Sequence, residues 1–287
     1  MTASYELHDH PSLDRPVLLM ALEGWIDAGM GSTTAMTTLL NGLDTQRIAT
    51  FDADELLDHR ARRPVMNLVE GVVTNLVWPT IELHAAKDLA GHDLLLLVGA
   101  EPDHSWRAFS HAVVDLANGF GTRMVIGFGC YPAATPHTRP TLLSCTAASP
   151  QLAERWPFLR GTLDVPAGIQ AAIEAQAAEA GVPAMGVWAQ VPHYTSAMAY
   201  PAASMALLDG VMQMGDLSLP LGDLPDESRE ARDRLDQIIA GNEEHQQMVQ
   251  ALEQEADATA TQASTRIPSG DELAAEVERF LRDQGKE

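Results

Sequence analysis

Short, unbroken apolar runs separated by segments of helical period are the feature that most constrains this chain. The runs are VLLMAL (17–22), DLLLLVG (93–99), RMVIGFG (123–129) and AMGVWAQV (184–191). A strand with one wet face alternates apolar and polar residues. These runs do not alternate, so each reads as a strand buried on both faces. Between them lie GSTTAMTTLLNGL (31–43), with Met36, Leu39, Leu40 and Leu43 at helical spacing, then SWRAFSHAVVDLANGFG (105–121) and GIQAAIEAQAAEAG (168–181). A further helix, YPAASMALLDGVMQMG (200–215), carries a proline near its start. Strands alternating with helices predict an α/β fold: a three-layer α/β/α sandwich around a largely parallel, mixed sheet. RIATFD (47–52) and TLLSCTA (141–147) add strands. GVVTNLVW and TIELHAA, on either side of Pro79, read as a strand pair in an antiparallel excursion.

Composition shifts near LPLGDLP (219–225). The chain therefore divides into an α/β domain, 1–222, and a helical extension, 223–287, holding 17 acidic and 7 basic side chains. In the extension Leu235, Ile238, Ile239, Met248 and Leu252 form an apolar stripe, and SGDELAAEVERFLRD (269–283) reads as a last helix. The formal net charge of −22 disfavours nucleic acid and anionic membranes as partners. No run approaches the ~20 apolar residues of a membrane span. The first residues are polar, without the apolar core of a signal peptide, so a cytoplasmic protein is expected. His8 and His10 fall in an expected flexible tail. Two cysteines, Cys130 and Cys145, build no disulfide framework, and no metal-ligand spacing is present, so no metal and no cofactor are expected.

Three dense stretches follow strands and fall at the expected carboxyl edge of the sheet, where ligands and partners of open α/β sheets bind. The first is ALEGWIDAGMGSTT (21–34), with Glu23, Trp25 and Asp27. As a phosphate loop it lacks the lysine of a P-loop and falls short of GxGxxG. The plainer account has Ser32 or Thr33 capping the next helix, with Gly24, Gly29 and Gly31 shaping the turn. Trp25 has the amphipathic bulk of an interaction hot spot. The second is VGAEPDHSWRAF (98–109), with Glu101, and with Asp103 or Ser105 as an N-cap. The third is VPHYTSAMAYPAAS (191–204), where His193, beside a carboxylate, would serve as a base and Tyr194 joins it. No GxSxG elbow occurs, and Cys130 reads as buried and inert. With no complete catalytic constellation, no catalytic residue is assigned. Glu23, Trp25, Asp27, Glu101, His193 and Tyr194 are candidates for binding a partner or ligand.

These stretches, taken in order, resemble the PAC2 family, named for a proteasome assembly chaperone, over roughly residues 15–215. PHTRPTLL (136–143) adds an actinobacterial character. The resemblance implies a nucleoside-phosphorylase-like α/β/α sandwich and no established enzymatic activity. It implies self-association into small rings, with a trimer favoured, and work by binding other proteins, including another protein complex. Chaperones of this group dock through a C-terminal hydrophobic–Tyr–any tail. Here Gly285, Lys286 and Glu287 stand in its place, so that mode of docking is not expected. The rival expectation is a small-ligand binder, or a hydrolase or phosphorylase-like enzyme, with Glu23 or Asp27 and His193 as acid and base.

Overall fold

The structure, a computed structural model, describes residues 4–24 and 26–265. Trp25 and the helix expected at 269–283 lie outside the described residues. In chain order the strands are β1 (Tyr5–Leu7), β2 (Val17–Glu23), β3 (Gln46–Phe51), β4 (Val65–Val69), β5 (Val72–Val77), β6 (Ile81–Lys87), β7 (Asp93–Ala100), β8 (Met124–Ala133), β9 (Leu143–Ala147) and β10 (Ala184–Pro192). The helices are α1 (Gly31–Gly42), α2 (Ala53–Leu56), α3 (Trp106–Gly119), α4 (Pro150–Ala153), α5 (Ile169–Glu179), α6 (Pro201–Gly215), α7 (Leu224–Ala240) and α8 (Glu243–Thr265).

One eight-stranded sheet runs in the order β1-β3-β6-β7-β2-β8-β10-β9. Its centre, β7-β2-β8-β10, is parallel. The strands β1, β3 and β6 on one side and β9 on the other pair antiparallel. The central strands are the unbroken apolar runs, and alternate residues serve two cores. Val17 and Leu19 of β2, Leu94 and Leu96 of β7 and Val187 of β10 pack with Ala35 and Leu39 of α1 and Leu207 and Val211 of α6. Leu18, Met20, Leu95 and Leu97 face the other way, toward Phe109 and Val113 of α3 and Ile173 and Ala177 of α5. Each such side chain contributes about 1.5–3 kcal/mol on burial, which makes the continuous runs the main source of cohesion. This is the expected three-layer α/β/α arrangement with a mixed sheet.

The chain divides into two compact units, Met1–Asp236 and Gln237–Glu287. Leu224 and Leu235 of α7 belong to the core of the first unit. In the second, Asn242 caps α8 by accepting the backbone N–H groups of Glu244 (2.9 Å) and His245 (3.3 Å).

Two expectations are corrected. GVVTNLVW and TIELHAA do not pair with each other. β5 folds back on β4, while β6 enters the large sheet between β3 and β7. The cause is the dipeptide Glu70-Gly71, whose φ values of 50° and 82° suit a two-residue hairpin turn. The N-terminal segment is also not a loose tail. Tyr5–Leu7 pairs with β3, the His8 ring lies 2.8 Å from the Thr50 hydroxyl, and His10 stacks on Phe120 with centroids 4.6 Å apart.

Candidate functional site at the carboxyl rim of the sheet

Because β7, β2, β8 and β10 are parallel, their carboxyl ends share one rim. Glu23 stands opposite Ala100 in the register of β2 and β7, so Glu101 is its neighbour, and the Glu101 N–H donates to the Glu23 carbonyl at 2.7 Å. Pro192 stands opposite Ala133, which brings His193 and Tyr194 to the same rim. The loop after β2 ties the tips together. Asp27 forms a bridge to Cys130 of β8, the Gly29 N–H donates to the Ser196 carbonyl, and the Gly29 carbonyl accepts from Tyr200 N–H, both at 2.9 Å. Gly29 has φ 67°, and a Cβ there would lie 2.7 Å from the Tyr200 Cβ, so glycine is needed for this close approach.

Asp27 is the cap of α1. Its two carboxylate oxygens accept the N–H groups of Ser32 (2.8 Å) and Thr33 (3.0 Å). The expected roles are therefore exchanged: Ser32 and Thr33 supply backbone donors, and the carboxylate upstream supplies the acceptors, where the positive end of the helix also favours it. At α3, Ser105 holds the N-cap position with φ 57°, and its side chain makes no capping bond. Asp103 is turned elsewhere, accepting from Asp58 N–H (2.9 Å) and from the Arg62 Nε (3.2 Å).

Around Glu23 and Glu101 the organising cation is Arg62, which sequence reading missed because it sits between unremarkable loop residues. Besides Asp103, it donates from Nη1 to the Glu23 carbonyl at 3.3 Å. Glu101 is 8% exposed, and its Oε1 accepts Ile169 N–H at 2.7 Å, at the start of α5. A Cβ on Gly24 would lie 2.6 Å from the Glu101 Cβ, which the backbone holds in place, so a side chain at residue 24 would force a shift. Glu23 itself is exposed. A space of about 40 Å³ adjoins Glu101, lined also by Gln170, Phe128 and Trp188. Below it, burial raises the Glu174 carboxyl above the usual range, against hydrogen bonds from Thr146 (3.1 Å) and Gln170 (3.2 Å).

On the β8–β10 side the imidazole held by a carboxylate is His137, not His193. His137 is 4% exposed. Its Nε2 lies 3.0 Å from Asp236 Oδ1 and its Nδ1 2.7 Å from the Tyr194 hydroxyl, which also accepts His137 N–H at 2.9 Å. A neutral ring protonated at Nε2 satisfies all three bonds: Nε2–H donates to Asp236 and the phenol donates to Nδ1. His193 is exposed and lies edge-on to Tyr194, with ring centroids 5.4 Å apart. Among the described residues no carboxylate hydrogen-bonds the His193 ring, so the acid–base pairing expected there is absent. A cavity of about 400 Å³ lies beside His137, lined also by Arg139, Thr141, Tyr200, Asp209 and Arg232. Burial raises the Tyr200 phenol, opposed by its Thr141 hydrogen bond and by Arg232.

Cys130 is fully buried. Burial first, and the Asp27 charge second, push its thiol well above the ordinary range, so it is no nucleophile. Among the described residues no group of three His, Cys, Asp or Glu side chains is placed to hold a metal ion, and no helix is long and apolar enough to cross a membrane.

A mixed α/β sandwich with a rim of interlocked loops after its parallel strands defines the class of protein. The particular family follows from comparison: the PAC2 family profile matches residues 21–239, and the chain belongs to the PAC2 family. It is similar to a Mycobacterium tuberculosis protein of unknown function (36% identity, TM-score 0.85, covering 93% of this chain and 92% of that one). It is also similar to a Corynebacterium glutamicum protein of unknown function (35%, 0.83, 88% and 97%). A third is a proteasome-assembly chaperone homologue of Mycobacterium tuberculosis (31%, 0.75, 81% and 99%). All three come from actinobacteria. No curated protein matches the chain.

Proposed function

We propose that this protein acts by binding other proteins, as an assembly-chaperone-like factor of the cytoplasm that is itself a homo-oligomer, with a trimer favoured. The observation that carries the reading is its likeness to the Mycobacterium tuberculosis proteasome-assembly chaperone homologue over 99% of that chain. The bonding at the rim supports it. Asp27, Glu101 and Tyr194 make hydrogen bonds within the fold, while Glu23 and His193 are exposed and available for contact; Trp25 stays a candidate from the sequence. The test uses substitutions that do not disturb those bonds. Glu23→Arg and His193→Ala are expected to weaken capture of proteasome subunits, or to lower the mass measured by light scattering, while the melting temperature is kept. Unchanged capture and mass in both variants, and in Trp25→Ala, would refute the reading.

One observation favours a second reading, a small-ligand-binding or phosphorylase-like protein: the cavity of about 400 Å³ where Arg139, Arg232 and His137 meet. A ligand held there at about 100 times its Kd would stabilise the native state by about 2.7 kcal/mol. A thermal-shift panel of nucleosides, nucleotides and phosphate reads this directly, and a flat panel removes it.

A further inference from the structure

We propose that the crevice between β2 and β8 binds an alkylammonium group, the chemistry that a lysine side chain presents. In its lysine form the proposal rests on the protein-binding reading above and names what the partner offers.

The crevice follows from the sheet. β2 pairs with β7 as far as Glu23 and Ala100, and β8 pairs with β10 as far as Ala133 and Pro192. Between β2 and β8 the pairing stops at Met20 and Gly127, and the chain meets β8 again only at the bridge of Asp27 to Cys130. The two strands also lead in opposite directions, β2 to β3 on one side of the sheet and β8 to β9 on the other. Open α/β sheets bind ligands at such a reversal, beyond the carboxyl ends of the strands.

Three polar residues lining the crevice, Glu101, Ser32 and Gln170, have bonding capacity to spare. Glu101 and Ser32 are each only 8% exposed. Glu101 Oε1 accepts Ile169 N–H, but among the described residues Oε2 accepts no hydrogen bond. The Ser32 backbone N–H bonds Asp27, and its hydroxyl makes no bond among the described residues. Gln170 donates from Nε2 to Glu174 at 3.2 Å, which leaves its amide oxygen as an acceptor. A buried carboxylate is costly unless a cation accompanies it. No Arg, Lys or His lines the crevice. Arg62 bonds the Asp103 carboxylate and the Glu23 carbonyl and forms no ion pair with Glu101.

The missing cation is defined by these groups. An ammonium has three N–H donors and no acceptor, which matches a carboxylate oxygen, a hydroxyl and an amide oxygen. Met20, Leu22, Ile26 and the Trp188 ring complete the walls and suit an alkyl stem. The indole lies over Gly129, where a Cβ would come 2.5 Å from its Cζ3. The volume, about 40 Å³, is a few times the ~10–15 Å³ that one water takes on this measure. That admits an ammonium and its first carbons and excludes a nucleoside. One carboxylate is too few for a metal ion, and among the described residues no group of three ligating side chains exists. The net charge of −22 draws cations toward the protein.

The experiment follows the amide signals of Gly129, Gly168 and Gln170 by TROSY NMR of the full chain at pH 7. The probes are n-butylamine, Nα-acetyl-lysine methylamide and n-butanol. Both amines are expected to saturate these shifts. n-Butanol, of similar shape without the charge, is expected to bind at least about tenfold more weakly, since charge-assisted hydrogen bonds are about twice as strong as neutral ones. Glu101→Gln keeps an oxygen for Ile169 N–H and should weaken both amines about tenfold. Ser32→Ala removes a hydroxyl that the fold does not use and should weaken them about threefold, with the melting temperature kept. Saturation by n-butylamine but not by the lysine derivative overturns the lysine form. Shifts with neither amine, equal binding of n-butanol, or unchanged amine affinity in both variants overturns the site and leaves the protein-binding reading standing. Amine binding by a protein that captures no partner overturns that reading and the lysine form and supports the ammonium site.

Discussion

Asp27 was a candidate for binding a partner, and the structure gives it a definite internal task, so replacing it separates the two roles. Its carboxylate accepts two backbone N–H groups of the first turn of α1, those of Ser32 and Thr33. Ser32 is buried, so water does not readily take over the lost bond. A lost cap costs about 0.5–2 kcal/mol, and a buried donor left unsatisfied costs about 1–3 kcal/mol. Asp27→Ala is therefore expected to destabilise the protein by about 2–4 kcal/mol. Asp27→Asn keeps one acceptor oxygen and turns an NH₂ toward the other donor, so about half that loss is expected. The assay is urea unfolding with the slope held constant, since only then does the midpoint report stability alone. In a thermal scan about 2–4 °C should be lost per kcal/mol in a domain of this size. An alanine variant within about 0.5 kcal/mol of the native protein would refute the capping argument, because surface changes fall in that range. Loss of partner capture with stability intact would return Asp27 to the binding surface.

Two further predictions concern the two ends of β7. Gly99 has φ 117°, and a Cβ there would lie 2.0 Å from the Thr80 carbonyl oxygen and 2.9 Å from Ile81 Cα, both backbone atoms; Gly99→Ala should cost about 3 kcal/mol or more, seen as lost soluble yield or a large drop in melting temperature. The Asp88 side chain is fully buried and accepts from the N–H groups of Ala90, His92 and Ser218 at 2.8–2.9 Å. Burial alone would raise its carboxyl, but these bonds and the His92 ring outweigh burial and hold it below the usual aspartate value. A folded-state value below the unfolded one means that its stabilisation is complete above about pH 4 and fades as the pH falls further. Asp88→Asn should be less stable at neutral pH and show a flatter decline below pH 4; equal acid slopes in pH-dependent urea unfolding would contradict this.

The sequence by itself determined the layers. Val17–Leu22 and Leu94–Leu97 are apolar at every position, so they had to be covered on both faces, and the helical period of the intervening segments supplied the covers. The rim was legible for the same reason: parallel strands end on one side, and Glu23, Glu101 and His193 each follow such a strand. What each rim residue does was decided by tertiary structure. His137 meets Asp236 across 99 positions, and Arg62 meets Asp103 across 41. Periodicity describes only neighbours within a few turns, so no local pattern pointed to either pair. The partner of β5 was missed for a different reason: the Glu70-Gly71 turn is a local signal, yet the apolar runs on both sides of Pro79 suggested a different pairing. Side-chain period establishes which residues must be buried; the choice of partner among distant elements depends on the closed three-dimensional packing, and it assigned Asp27 to a helix cap.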